Sequence, residues 1–278
     1  ASFMAAGPVR LRPHCKTHKC PTIAWMQLRA GAIGITCAKL GEAEVMARAG
    51  IQDLLIANQI IGAEKIARLV NLAAYSRVMV AVDDAENAAQ LSAAAQAKGV
   101  RLRAIIEVDT GMGRCGVQPG PACVDLARKM VSLPGLQFEG IMGYEGHAVM
   151  IPDMDERLQV TTKALDQLLY ARDLLQRDGI AAPIVSAGGT GTYHITGRRE
   201  GITELQAGSY ATMDAKYEEA HADFELALSV VARVISTPTP DLAVIDAGHK
   251  TLTIEFGLPR LVKPEGWKIG GFSEEHAK

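Results

Sequence analysis

The feature that most constrains this chain is a regular alternation of β-branched runs with alanine-rich helical runs. Periodicity predicts strands at 9–14, 33–37, 54–57, 78–82, 102–108, 140–144 and 184–186, separated by helices at 21–30, 40–49, 63–72, 86–97, 121–131 and 157–176. Around the third helix, Ile66, Leu69, Val70 and Ala73 keep a helical period, and Lys98-Gly99 closes the fourth as a C-terminal cap would. With an eighth strand at Glu204, a unit of roughly 20–30 residues recurs seven or eight times, the count expected for a (β/α)8 TIM-type barrel. A doubly wound open sheet is the alternative, but it normally carries one glycine-rich turn near its first strand, and the glycine-rich turns here come late. Past about Tyr217 the pattern changes. A run dense in Val, Leu and Ala fills 224–236, Thr237-Pro238-Thr239-Pro240 breaks it, and a strand follows at 242–245. The expected organisation is a barrel over 1–217, its first element reduced, and the start of a mainly β second domain over 218–278.

Composition narrows the function classes. A chain of 278 residues with 48% apolar content can bury a large core. Twenty-seven glycines against 5% aromatics suit a glycine-looped α/β enzyme better than a β-sandwich. The net charge of −2 leaves no basic excess for nucleic acid or an anionic membrane. No apolar run reaches the length of a membrane span, and the first residues lack the basic region of a secretory signal. The cysteine count, five, is odd, which argues against a disulfide scaffold and for a reducing compartment. A soluble cytoplasmic enzyme is the expectation.

Barrel chemistry gathers where strands end at their C-terminal side. The first strand ends in Arg12-Pro13-His14-Cys15-Lys16-Thr17-His18-Lys19-Cys20. His14, Cys15, His18 and Cys20 are all zinc-type ligands, but strand alternation and two interspersed lysines oppose convergence. A second reading is a lysine whose pKa is lowered at the strand mouth, ready to attack an aldehyde. An exposed polar turn is the third. The fifth strand leads into Glu107-Val108-Asp109-Thr110-Gly111-Met112-Gly113-Arg114-Cys115-Gly116-Val117, where Arg114 sits between flexible glycine positions and can reach an anion, or be tied to Asp109. The sixth leads into Gly143-Tyr144-Glu145-Gly146-His147, with Tyr144 as a wall and His147 as an imidazole at the mouth or an ordinary loop residue.

The seventh strand leads into Ser186-Ala187-Gly188-Gly189-Thr190-Gly191-Thr192-Tyr193, whose glycine amides and hydroxyls suit a phosphate. It is not a Walker A loop, for no Gly-Lys-Ser/Thr follows. The eighth supplies Glu204-Leu205-Gln206-Ala207-Gly208-Ser209-Tyr210. Strands one, seven and eight are neighbours in a closed barrel, so a phosphate-bearing aldehyde fits both ends. Pyridoxal phosphate would place its aldehyde at Lys16 or Lys19 and its phosphate on the glycine amides.

The segment Arg12–Lys19 resembles the cofactor-lysine segment of the D-threonine aldolase and D-serine dehydratase family, which has the alanine racemase fold. The segments 107–117, 186–192 and 204–214 resemble the D-threonine aldolase branch more closely. Asp246-Ala247-Gly248-His249-Lys250, Gly257-Leu258-Pro259 and Ser273-Glu274-Glu275-His276 continue the match in order. The resemblance implies Lys16 as the Schiff-base lysine, Tyr144 against the cofactor ring, and Arg114 at its phenolate side or at the substrate carboxylate. It implies Gly188, Gly189, Thr190, Gly208, Ser209 and Tyr210 around the phosphate, and Gln206 where alanine racemases carry an arginine facing the pyridine nitrogen. His147 stands closest to the position of a histidine that some aldolases carry after the tyrosine; without gaps that histidine would fall on Met150.

The activity implied is a pyridoxal-phosphate-dependent lyase that cleaves 3-hydroxy D-amino acids, D-threonine among them, by a retro-aldol reaction to glycine and an aldehyde. The alternatives are a 3-hydroxy-D-amino-acid dehydratase, a pyridoxal-phosphate-binding barrel without turnover, and a homologue that cannot hold the cofactor. A homodimer is implied as well. The family also uses a divalent metal, held by a His-x-Asp or His-x-Cys pair beyond the Ser-Glu-Glu-His segment. This sequence ends two residues past His276, so no metal ligand is expected within it. The expectation is therefore a shortened form, a fragment, or an enzyme without the usual metal.

Overall fold

A computed structural model describes Phe3, residues 7–221 and residues 223–278. The chain divides into two compact units, Ala1–Ala211 and Thr212–Lys278. In the first, eight parallel strands alternate with helices. The strands are β1 (Arg10–Leu11), β2 (Ile35–Cys37), β3 (Asp53–Ile56), β4 (Arg77–Val82), β5 (Leu102–Glu107), β6 (Leu136–Met142), β7 (Ile184–Ala187) and β8 (Glu204–Leu205). The intervening helices are α1 (Pro21–Arg29), α2 (Leu40–Arg48), α3 (Ala63–Ala73), α4 (Ala85–Lys98), α5 (Pro121–Ser132), α6 (Met154–Arg177) and a short α7 (Tyr193–Thr196).

The sheet runs β1-β8-β7-β6-β5-β4-β3-β2, each strand parallel to its neighbour. A parallel bridge between His14 and Thr36 joins its two ends. The Ile33 and Thr36 amides donate to the Leu11 and Pro13 carbonyls, each at 2.9 Å. The sheet is thus a closed barrel rather than an open one. Closure leaves no strand edge unpaired, and the Ile, Val and Leu of the central strands are buried on both faces.

The barrel lumen is layered. Leu55, Met79, Ala81, Ile105 and Met142 form a buried apolar layer. Arg103, Ile105 and Glu107 share one face of β5 by the two-residue strand period. Arg103 lies on the N-terminal side of the apolar layer and Glu107 on the other. On Arg103's side, Arg12 bonds Asp53 at 2.5 Å and Glu204 at 3.2 Å, while Arg103 bonds Glu139 at 2.8 Å. Side chains at the ends of β1, β3 and β8 can meet only inside the barrel. A polar base, an apolar middle and an open C-terminal mouth follow.

Several boundaries differ from the sequence reading. The first strand spans two residues rather than 9–14, because Pro13 has no amide hydrogen and the chain turns into a 3-10 segment at Cys15–Thr17. The sixth begins at Leu136 rather than 140, taking in the polar Gln137 and Glu139, of which Glu139 is the partner of Arg103. Gly99 does cap α4, in the left-handed conformation. The reduced opening element expected at 1–7 lies outside the described residues except for Phe3 and Gly7.

The second unit holds α8 (Ala215–Ala220) and a two-stranded antiparallel ribbon, β9 (Val234–Thr239) and β10 (Leu242–Ile245). The strand β9 runs through Pro238 instead of stopping before it, as an edge strand permits. The Asp246–Lys250 and Ser273–His276 motifs meet here: the His249 and Lys250 amides donate to the Ser273 and Glu274 carbonyls at 2.8 and 2.9 Å. Lys250 adds an ion pair to Glu275 at 2.8 Å. No helix among the described residues is long and apolar enough to cross a membrane.

Candidate active site

The mouth of the barrel assembles the residues that close β1, β5, β6, β7 and β8. Beyond β1 the chain turns through Cys15–Thr17, and the His14 side chain accepts from the Lys16 amide at 3.3 Å. Burial, with Lys16 and Lys19 nearby, pushes the His14 imidazole down to about 3, so it stays neutral. The two lysines diverge. Lys19 is ion-paired with Glu42 at the start of α2, whose carboxylate also accepts from the Ala38 amide at 2.7 Å. Lys16 instead brings its ammonium to 5.8 Å from the centroid of the Tyr144 ring. Burial first, and then the charge of Arg114, hold the Lys16 ammonium below the ordinary lysine range.

Arg114 approaches the same ring, its guanidinium carbon also 5.8 Å from the centroid. Its ion-pair partner is Glu107 at 3.7 Å, not Asp109. Asp109 is occupied by the amides of Gly111 and Gly113, each at 3.0 Å. Glu107 is buried, and burial raises it above the usual carboxylate range despite the 2.7 Å hydrogen bond donated by Gln59. A shallow, open depression beside Tyr144 is lined by Glu107, Val108, Asp109, Thr110, Met112, Arg114 and Cys115.

The loops beyond β7 and β8 close the other side. A Cβ placed on Gly189 would lie 3.2 Å from the Tyr144 ring, and one on Gly208 only 2.7 Å from the His14 carbonyl oxygen. Only glycine allows the β8 loop so near the lysine turn. The Tyr210 amide donates to the Thr190 hydroxyl at 3.0 Å, which ties the two loops together. Burial raises the Tyr210 phenol to about 12, and Gln27 donates to it at 2.9 Å. Gln206 donates to Ser186 at 2.8 Å, so its amide is held across β7 and β8. The amides of Gly188 and Gly189 are already engaged, by Glu145 and Thr192 respectively. For the amides of Thr190, Gly191 and Gly208 no hydrogen-bond partner is recorded among the described residues.

Lys16, Arg114, Tyr144, Gly189, Thr190, Gln206, Gly208, Ser209 and Tyr210 thus lie on the turns around one mouth. His147 stands apart: it is exposed at the rim, and a Cβ on Gly111 would be 3.6 Å from its ring. The four zinc-type residues do not converge. The His18 ring accepts from the Cys20 amide at 3.0 Å, and the Cys15 and Cys37 sulfurs lie 3.7 Å apart in the core. Among the described residues no group of three His, Cys, Asp or Glu side chains could hold a metal ion. Sequence reasoning passed over Glu107, Glu42 and Glu145. A carboxylate closing the run Ile105-Ile106-Glu107 is a visible signal; the other two look like ordinary polar residues.

A fit to a phosphate-bearing aldehyde follows from this donor set. An amine with a depressed pKa faces an aromatic wall, an arginine flanks it, and amides with no partner recorded among the described residues lie on adjacent loops around a glycine cradle.

Comparison with known proteins agrees. The family model described as the alanine racemase N-terminal domain matches residues 2–216, and one for a serine dehydratase domain matches residues 227–278. A D-threonine aldolase from Arthrobacter sp. is 40% identical over 272 residues, which is 96% of this chain and 72% of that protein. A 3-hydroxy-D-aspartate aldolase from Paracoccus denitrificans (strain Pd 1222) is 38% identical, over 99% of this chain and 74% of that one. The crystal structure of D-threonine aldolase from Filomicrobium marinum superposes with a TM-score of 0.96 at 38% identity, covering 99% of this chain and 75% of that one. The chain belongs to the alanine racemase family, in the branch that holds the D-threonine and 3-hydroxy-D-aspartate aldolases.

Proposed function

We propose that this chain is a pyridoxal-phosphate-dependent aldolase that cleaves 3-hydroxy D-amino acids, D-threonine among them, to glycine and an aldehyde. The observation that carries this reading is the approach of Lys16 and Arg114 to one Tyr144 ring, beside two loops with free amides. When bound, the cofactor supplies an electron sink for the bond that breaks at the substrate Cα.

The chain's own residues do the rest. Lys16, whose ammonium burial and the Arg114 charge hold below the ordinary lysine range, is the amine that engages the cofactor aldehyde. Tyr144 walls one side of the site and excludes water from it. Arg114, kept in place by Glu107, supplies a fixed cation for the phenolate or the substrate carboxylate. Thr190, Gly208, Ser209 and the amides around them hold the phosphate, with Gly188, Gly189 and Tyr210 shaping that cradle. Gln206 offers a neutral amide toward the pyridine nitrogen. His147 takes the hydroxyl proton at the rim. No residue of this chain is assigned to a metal. The reading includes a homodimer and, with all five cysteines free, a reducing cytoplasmic location.

Incubation of the full chain with pyridoxal phosphate and D-threonine tests this reading. Glycine and aldehyde in equal amounts are the expected products. Ammonia and a 2-oxo acid would make it a dehydratase. Persistent lysine-linked visible absorbance without turnover would make it a binding barrel.

A further inference from the structure

Glu145 follows Tyr144 on the β6 loop and is 1% exposed. All the hydrogen bonds recorded to its carboxylate come from the segment after β7. The Gly188 amide donates to Oε2 at 3.1 Å, and the Thr192 and Thr196 hydroxyls donate to Oε1 at 2.7 Å each. Both threonines are fully buried. The Thr192 oxygen accepts in turn from the Gly189 amide at 3.1 Å. One carboxylate therefore commits two successive amides of the loop, the first directly and the second through a hydroxyl. The next two amides, those of Thr190 and Gly191, are left without a recorded partner.

A carboxylate is a poor neighbour for a bound phosphate, because like charges at low dielectric repel. Charge alone gives no reason for a buried glutamate here. Its hydrogen bonds do, since a carboxylate is acceptor-only and can take several donors at once. We infer that Glu145 is the positioning residue of the β7 loop. By holding the Gly188 and Gly189 amides, it sets the turn that presents the Thr190 and Gly191 amides to the cofactor phosphate. This inference rests on the proposed cofactor reading, and it adds a link between the ring wall at Tyr144 and the phosphate loop through adjacent residues.

The sign of one substitution separates position from charge. Glu145→Gln removes the negative charge, retains acceptance from the two threonines, and loses the acceptor for the Gly188 amide. Pyridoxal phosphate and phosphate-free pyridoxal are titrated into the full chain and the variant, followed by visible absorbance. A positioning role predicts binding of pyridoxal phosphate weaker by about ten-fold, with pyridoxal changed by less than about two-fold. Tighter binding of pyridoxal phosphate by the variant would overturn the inference, because relief of repulsion would then dominate. Equal weakening for both ligands would also overturn it, as general loosening of the barrel.

If Glu145→Gln does not fold by circular dichroism, Thr192→Val and Thr192→Ser replace it. Val should weaken pyridoxal phosphate binding selectively and Ser restore it; identical behaviour of the two sinks the inference. Absence of any lysine-linked absorbance in the unmodified chain is a separate result: it removes the cofactor reading and this inference with it.

Discussion

Lys19 is ion-paired with Glu42, and the pair takes Lys19 out of competition for the barrel mouth. Lys16, three residues earlier, has its ammonium over Tyr144 instead. Lys16→Ala should therefore abolish the visible absorbance that follows addition of pyridoxal phosphate and lower turnover by about a thousand-fold or more. Lys19→Ala should leave the absorbance in place. The reverse pattern would transfer the cofactor role to Lys19.

The depressed pKa of Lys16 gives a pH test. The neutral amine is the nucleophile, so the rate of addition to an aldehyde should rise with pH with its midpoint below the ordinary lysine value of 10.5. Burial is the main cause, and Arg114 adds to it, whereas Glu42 opposes it. Arg114→Gln should move the midpoint up and Glu42→Gln should move it down. Rates of pyridoxal phosphate addition to the full chain between neutral and alkaline pH give the three midpoints; shifts of equal sign would refute the assignment.

Arg12 anchors the polar base of the barrel. It is 3% exposed and bridges Asp53 and the equally buried Glu204. Arg12→Leu strands the Glu204 carboxylate without a cation and should cost about 3–5 kcal/mol. Arg12→Leu with Glu204→Gln should cost less than the single change, because the uncompensated charge is gone. Urea unfolding of the three proteins measures both values.

Gly208 and Gly41 make a matched pair of opposite sign. A Cβ on Gly208 meets the His14 backbone at 2.7 Å, whereas one on Gly41 meets nothing within 4 Å. Gly208→Ala should destabilise by about 1–3 kcal/mol through overpacking and weaken pyridoxal phosphate binding. Gly41→Ala, within α2, should stabilise by about 0.5–1 kcal/mol. Thermal melts and cofactor titrations of both variants check the contrast.

The barrel was legible because its information is local. Strand and helix periods repeat within each unit, and β3, β4 and β5 fall close to their predicted positions. The seeds of the site were legible for a similar reason, since lysine, arginine and glycine loops sit at strand ends. Less legible were elements whose residues serve distant partners. Gln137 and Glu139 disguised the start of β6, and Pro238 concealed the continuity of β9. The resemblance over 107–117 pointed to Arg114, but its tie to Glu107 rather than Asp109 needed coordinates.

What the sequence determined by itself is the repeating βα unit, hence a parallel barrel, and the set of chemical groups at its C-terminal mouth. Periodicity and strand-end residues act over a few neighbours, so they survive without knowledge of the fold. Only the tertiary structure decided which groups act together. Lys16 and Lys19 carry the same side chain in the same turn, and Glu42, from another helix, separates them. Glu145 looks like one polar residue in a loop, and its three donors stand 43 to 51 positions further along the chain. Barrel closure brings those groups within hydrogen-bond reach.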